Sequence, residues 1–413
     1  MEPNTYLLII LAIIATDFLA TLIVFLLDYN YKKIPPKNQT VQKDYIKSKK
    51  YLRSGIKFGI TKAVIDTLIL LIVILTGILN NLDIALRSLG HGQIITGILF
   101  FGIVGIITYS TGIPFSIYGT FKIEKKYGFN KTTKKTFIID AVKGLAGYAI
   151  IGVIGISIIL FFFQKAGSLA WLYCWIFLTI MQIFTMFLYP VFILPLFNSL
   201  KILKDGPLKE AIQKYLKENN INIKMDNIKI IDASKRTSKS SAFLAGFGMN
   251  KRLVLSDTLL KNHTIDEILA VVAHEVGHLK MNHLPKKLVL YTVETFLMMF
   301  LLSFVIQSNN FFLAFGVENL SVYIGLMLFG VIYSPISIMF STLTNYLSRE
   351  YEYAADDYSA KTTSPEAMAK TLDKLGAHNL TNPTPHPVKV FLKYGHPPIK
   401  DRINKIKGGI NNG

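Results

Sequence analysis

The chain has 413 residues, 51% of them hydrophobic, and its mean hydropathy is +0.40. A soluble globular domain rarely reaches that value, so the composition excludes an ordinary soluble enzyme and predicts several membrane spans. The net charge of +19 does not point to nucleic acid, because the Lys and Arg residues lie in loops beside apolar runs. We therefore expect a lipid bilayer as a partner. The single cysteine, Cys174, excludes intramolecular disulfides and a cysteine-ligated zinc site.

Seven apolar runs of about 20 residues or more predict seven transmembrane helices. They lie near residues 6–27, 60–79, 94–118, 145–163, 169–196, 288–306 and 322–345. The first run lacks preceding Lys or Arg and is long enough to span, so we expect a retained helix rather than a signal peptide. Pro190 and Pro195 predict a kink or break at the end of the fifth run.

Loop charge predicts the orientation of these spans. The loops after the first and third runs carry nine and seven Lys or Arg residues, whereas the intervening loops carry almost none. Basic loops face the cytoplasm, so we expect an outside N-terminus in either a bacterial inner membrane or the endoplasmic reticulum. The chain then divides into a membrane domain (1–198), a cytoplasmic segment (199–287), spans six and seven (288–345) and a cytoplasmic C-terminal segment (346–413).

The segment 199–287 has the patterns of a small α+β unit. Leu208 to Asn219 has helical periodicity, and residues 228–231 and 253–256 are typical of short strands. Thr264, followed three residues later by Glu267, forms a capping box that starts a further helix.

That helix carries the motif His274-Glu275-Val276-Gly277-His278. Two histidines four residues apart lie on one helical face and can bind one zinc ion, with Glu275 as general base for the attacking water. A catalytic zinc usually takes three protein ligands, so a third is required. The best candidate is Glu352, in a stretch that continues the last span as a helix.

On that second helix, Arg349, Glu352 and Asp356 share one face. Asp356 suits an acceptor that holds a ligand histidine by its other ring nitrogen, although a plain salt bridge to Arg349 or another cation is an alternative. The small Ala355 would let another helix approach closely. A solvated helix face is the alternative for Glu352.

Two further groups of ionisable residues have open interpretations. His396, between Gly395 and Pro397, and the later Arg402 are candidates to stabilise a developing oxyanion, but His396 could simply be a loop histidine. His283 lies about 140° from the ligand face if the helix continues, and is expected to be structural or interfacial. The intramembrane residues line a chamber or pair between helices: Asp17, Asp66 and Glu294.

The order and spacing of several short strings extend these motifs over most of the chain. They are Glu124 followed by 127–130 (YGFN) and Asp140, 195–198 (PLFN), 232–236 (DASKR), 255–259 (LSDTL), the zinc motif, 348–356 (SREYEYAAD), and 396–398 (HPP) followed by Arg402. In this order the chain resembles the type I CaaX prenyl endopeptidases, integral-membrane zinc metallopeptidases of the gluzincin type. The resemblance implies an all-α polytopic membrane protein whose seven transmembrane helices enclose a chamber, with a cytoplasmic α+β zinc metallopeptidase portion.

The resemblance also implies roles for individual residues. One zinc ion would be held by His274, His278 and Glu352, with Glu275 as the general base. Asp356 would support a ligand, and His396 would act in the transition state with Arg402 nearby. Such enzymes release a C-terminal tripeptide from farnesylated or geranylgeranylated CaaX proteins.

The same resemblance predicts that a peptide adds to an edge strand before the zinc helix. The substrate-binding candidates are Ser241, Ala242 and Phe243. Ser241 stands where the family usually has Asn, and this shorter donor predicts a weaker substrate contact. Two alternatives stay open: a zinc protease for membrane-protein quality control without prenyl dependence, and a non-catalytic transporter or scaffold with a structural metal site.

Overall fold

A computed structural model describes residues 2–31, 39–246 and 248–411. We number the α-helices of these residues in chain order: α1 Pro3–Asn30, α2 Gln39–Leu75, α3 Ile78–Arg87, α4 Gln93–Tyr118, α5 Lys134–Lys165, α6 Ala170–Leu188, α7 Leu194–Phe197, α8 Pro207–Glu218, α9 Asp257–Asn262, α10 Ile265–Lys280, α11 His283–Val305, α12 Asn309–Leu313, α13 Val322–Thr362, α14 Pro365–His378, α15 Pro387–Lys393 and α16 Ile399–Asn411. The strands are β1 Leu200–Ile202, β2 Ile228–Ile231, β3 Ala242–Ala245 and β4 Arg252–Ser256.

Seven helical stretches of the described chain are long and apolar enough to cross a membrane, which confirms the predicted number of spans. They are α1, α2, α4, α5, α6 with its extension, α11 and α13. Many large apolar side chains on these helices face outward, including Leu8 at 69% exposure and Met339 at 72%. In a bilayer these side chains contact lipid. The second span ends at Leu75, four positions before the predicted limit, because Gly77 adopts a left-handed conformation at φ 67°.

The end of the fifth span is broken where its prolines predict. Helix α6 ends at Leu188, and a π-helical turn from Tyr189 to Ile193 precedes α7. Proline removes a backbone N–H, which frees carbonyl groups of the preceding turn and distorts the helix. The carbonyl of Pro190 accepts a hydrogen bond from Arg252 Nη1 at 2.6 Å, so this break joins the membrane helices to the β-sheet.

The ionisable residues within the spans have partners in the structure. Asp17 on α1 accepts from Ser334 on α13, and Glu294 on α11 accepts from Ser337 at 3.3 Å. Asp66 pairs with a lysine of its own helix. The contacts of Asp17 and Glu294 are interhelical pairing, the second of the two predicted alternatives. A separate apolar cavity of about 1170 Å³ lies between α4 and α5.

The four strands form a sheet in the order β1-β2-β4-β3. Strands β2 and β4 are parallel, and the outer pairs are antiparallel. The two central strands match the predicted 228–231 and 253–256, whereas β1 and β3 were not predicted as strands from periodicity. Apolar residues of the sheet pack with α8 and α10 in one core, and α10 lies beside β3, which is an edge strand.

Helix α10 begins at the predicted capping box and crosses α13 at close range. A Cβ added at Gly277 would lie 3.1 Å from the Cα of Ala355, which is a tight contact, so glycine favours the close approach of the two helices. Ser359 donates a hydrogen bond to the carbonyl of Ala270 at 2.7 Å. Small side chains thus let α10 and α13 pack closely, as the small Ala355 predicts. The functional residues of the two helices therefore face one another.

Candidate active site

Three side chains with metal-ligand chemistry meet between α10 and α13. The Nε2 atoms of His274 and His278 are 3.1 Å apart. The carboxylate of Glu352 lies 3.5 Å from the first nitrogen and 3.4 Å from the second. The ligand atoms of this group fall within 4.8 Å of one another.

The outer contacts of the two histidines explain why these nitrogens are available as ligands. Asp356 Oδ1 lies 2.9 Å from Nδ1 of His274, so it can accept the proton of that ring nitrogen. His283 Nδ1 lies 2.8 Å from Nδ1 of His278. If each Nδ1 carries the ring proton, both Nε2 atoms present lone pairs beside the carboxylate of Glu352. Two imidazoles and one carboxylate are a donor set that zinc takes in catalytic sites, so the residues fit a zinc ion.

His283 stands closer to the site than the helical projection predicts. Helix α10 ends at Lys280, and Asn282 adopts a left-handed conformation at φ 54° before α11 begins at His283. The projection assumed one continuous helix, and this turn returns His283 toward His278. The ring also stacks on Tyr351, with centroids 4.1 Å apart. His283 therefore orients His278.

Arg402 contacts the carboxylates of both Glu352 and Asp356 on α13. It donates to Asp356 from Nε at 2.7 Å and from Nη2 at 2.6 Å, and its Nη1 lies 3.2 Å from Glu352. Arg402 is buried, with 8% exposure for the whole residue. This position suits a group that holds the two carboxylates, and the expected role of Arg402 near the oxyanion stays a prediction. Asp356 thus forms the salt bridge predicted as its alternative role, with Arg402 as the cation and not Arg349, and it also lies beside His274.

Arg349 instead fixes the chain that leads to His396. Its Nη1 donates to the carbonyls of Val390, at 2.9 Å, and Tyr394, at 2.7 Å. The side chain of His396 is 75% exposed, and its Nδ1 lies 3.0 Å from Glu352 Oε2. His396 thus stands on the open side of the site, where a substrate would approach.

Glu275 lies between the ligand histidines and the edge strand. Its Oε2 accepts a hydrogen bond from the backbone N–H of Leu244 at 3.1 Å. Burial raises the pKa of Glu275, while the charges of the two histidines act in the opposite direction. A bound cation would favour the carboxylate form that a general base requires.

The predicted substrate-binding residues lie on or beside this edge strand. Ala242 and Phe243 belong to β3, and Ser241 immediately precedes it. The N–H of Ser241 donates to Ser256 Oγ at 3.0 Å, and its carbonyl accepts from the N–H of the same residue. The backbone of Ser241 therefore bonds toward β4, and only its exposed side chain can reach outward.

The family model described as CAAX prenyl protease N-terminal, five membrane helices, matches residues 26–199, and that of peptidase family M48 matches residues 203–410. The chain belongs to peptidase family M48. It is a multi-pass membrane metalloprotease, with a protein as its substrate.

Individual relatives agree with this membership. The chain is 36% identical to CAAX prenyl protease 1 homolog of Arabidopsis thaliana over 309 residues, which cover 74% of this chain and 72% of the relative. It is 30% identical to CAAX prenyl protease 1 of Saccharomyces cerevisiae, covering 91% and 88%. A crystal structure of S. mikatae Ste24p superposes with a TM-score of 0.91 at 29% identity, over 97% of this chain and 99% of that one.

In this M48 peptidase, a side chain beyond the sequence motifs contacts the segment before β3. Asn379, just after the end of α14, bonds to the backbone of Ser240 through both atoms of its amide. An Asn after a helix is common as a C-terminal residue, so nothing in the sequence predicts this contact with the segment before β3.

Proposed function

We propose that this chain is a zinc-dependent endopeptidase that removes a C-terminal tripeptide from prenylated CaaX proteins at the cytoplasmic face of a membrane. The observation that carries the proposal is the hydrogen bond between Glu275 and the edge strand β3. Glu275 follows one ligand histidine in sequence and accepts the N–H of Leu244. A peptide added to β3 would therefore pass beside the general base and the metal ligands.

Each residue then has a chemical role that its contacts support. Zinc held by His274, His278 and Glu352 would supply Lewis-acid activation. Glu275 takes a proton from the attacking water and passes it to the leaving nitrogen. The exposed imidazole of His396 donates a hydrogen bond to the developing oxyanion. Asp356 and Arg402 keep the ligands in place.

The relatives named CAAX prenyl protease support the substrate class, and so does the position of the site. Glu352 lies on α13, which continues from the seventh span, and His278 lies just before the sixth. The metal ligands are therefore near the bilayer surface, where a lipid-modified C-terminus is anchored.

Purified protein with bound zinc should cleave a farnesylated CaaX peptide much faster than the same peptide without the lipid, as followed by mass spectrometry. Glu275→Gln should retain zinc and lose cleavage, because only the proton acceptor is removed. Chelation should abolish cleavage, and added zinc should restore it. Full activity in Glu275→Gln would overturn the assigned base. Equal cleavage of the unprenylated peptide would favour the quality-control alternative.

The orientation can be tested with cysteine labels. In a Cys174→Ser background, Lys126→Cys in a basic loop should react with an impermeant reagent only from the cytoplasmic side. His91→Cys, in a loop poor in positive charge, should react only from the opposite side. The reverse pattern would contradict a cytoplasmic active site.

A further inference from the structure

The outer edge of β3 offers a short row of backbone groups. Strand β3 pairs with β4 on one side and is the last strand of the sheet. The carbonyl of Ser241 bonds to the N–H of Ser256, so the backbone groups of Ser241 face β4. Because backbone direction alternates along a strand, those of residues 240, 242 and 244 face away from β4.

Asn379 occupies the first position of this outward row. Its Oδ1 accepts the N–H of Ser240 at 3.2 Å, and its Nδ2 donates to the carbonyl of Ser240 at 3.2 Å. A side-chain amide has the same donor and acceptor as a peptide group, so Asn379 pairs with Ser240 as a residue of a neighbouring strand would. Ser240 is buried, with 4% exposure. An added peptide cannot extend past this point while the pairing holds.

Glu275 occupies the other end, at the N–H of Leu244. Three strand positions, 241 to 243, lie between these two fixed points. Ala242 is the outward-facing residue among them, and it can exchange two hydrogen bonds with one residue of an added peptide. We propose that Asn379 is an end-stop for the substrate strand, which limits how many residues can lie between the cut peptide bond and the end of the peptide.

The direction in which the substrate lies along β3 rests on the proposed function. If cleavage occurs beside Glu275 and releases a tripeptide, the short end that fits before Asn379 is the C-terminus of the substrate. The substrate then runs antiparallel to β3, since β3 leads from Ser240 toward Leu244. Asn379 acts through the backbone and not on the reacting atoms, so it is a positioning residue.

The test measures product length. Farnesylated peptides with three, four or five residues after the prenylated cysteine are cleaved by the full-length zinc-loaded protein, and mass spectrometry identifies the fragments. The unmodified protein should prefer the three-residue substrate by about tenfold or more. Asn379→Ala should reduce that preference to about twofold, because the row is then open beyond Ser240. The near-isosteric Asn379→Asp should act in the same direction, since it loses the donor to the carbonyl of Ser240.

His378→Ala is the matched control. Its Nε2 contacts the carbonyl of Ser238 at 2.7 Å, so it anchors the same helix end without occupying the outward row. It should keep the preference for three residues even if it lowers overall activity. If an Asn379 variant binds zinc but cleaves nothing, binding of the same peptides by fluorescence anisotropy gives the length preference instead. An unchanged preference in both Asn379 variants, or an equal loss in His378→Ala, would overturn the end-stop. Loss of all cleavage in the unmodified protein would instead refute the proposed function.

Discussion

The variant Asp356→Asn tests whether a residue that contacts a proposed metal ligand, without being a ligand itself, contributes to zinc affinity. Asp356 is 2% exposed and receives two hydrogen bonds from Arg402, while its Oδ1 lies beside Nδ1 of His274. Asparagine keeps the size of the side chain but loses its charge. The substitution leaves the buried guanidinium of Arg402 with one carboxylate partner, Glu352 at 3.2 Å.

The structure supports two magnitudes. Breaking a buried ion pair on one side costs about 3–5 kcal/mol, and the remaining contact of Arg402 with Glu352 points to the lower end, about 3 kcal/mol of unfolding free energy. Removal of an acceptor that orients a ligand histidine lowers metal affinity by roughly 10–100-fold. The asparagine carbonyl can still accept from His274, so we expect zinc affinity to fall by about tenfold, or ~1.4 kcal/mol.

Zinc affinity is measured by competition with a chromophoric chelator, and unfolding by thermal melts in detergent. Asp357→Asn is the matched control on the same helix, because that carboxylate is 59% exposed and pairs with Lys361. An exposed pair four residues apart contributes about 0.3–0.5 kcal/mol, so the control should change little. Zinc affinity within twofold of the unmodified protein for Asp356→Asn, or an equal loss in the control, would refute the reasoning.

Three other substitutions test the packing and the ligand set. Gly277→Ala should lower the free energy of unfolding by about 1–3 kcal/mol, because the new Cβ meets the backbone of Ala355 at 3.1 Å. The control is Gly330→Ala, where a new Cβ meets open space. Equal melting temperatures for the two variants would contradict the packing argument. Arg349→Met should lower kcat without loss of zinc, since it frees the segment before the exposed histidine; metal loss would indicate a different role. Glu352→Ala should contain less zinc than the unmodified protein, as measured by elemental analysis. One zinc ion per protein in this variant would mean that Glu352 is not a ligand.

Much of the fold could be predicted because its strongest signals are local. The apolar runs are long enough to identify seven spans, and the capping box at Thr264 marks the residue where α10 begins. Strand β3 has no such signal. Its four residues, Ala242 to Ala245, are all apolar and do not alternate with polar ones, so periodicity alone cannot identify them as an edge strand.

The positions of the candidate site residues could be predicted where two of them lie on one helix, and less well where they depend on loops between helices. His274 and His278 share a face, and Glu352 and Asp356 share another, so each pair follows from helical spacing. His283 was expected to be structural, but its contact with His278 was not predicted, because its position depends on a left-handed residue between two helices. The contacts of Arg402 depend on how the C-terminal segment returns to α13, which sequence spacing does not contain.

The C-terminal segment thereby contacts the candidate metal ligands. Arg402 on α16 reaches Asp356, Asp356 reaches His274, and His274 faces Glu352. Each contact involves a buried charged or polar group. Removal of one side chain therefore leaves its neighbour without a hydrogen-bond partner in the protein interior, which costs free energy. Zinc affinity should therefore depend on α16, although none of its residues is a proposed ligand. A variant with Arg402→Met should weaken zinc binding while Lys405→Met, on the same helix, should not.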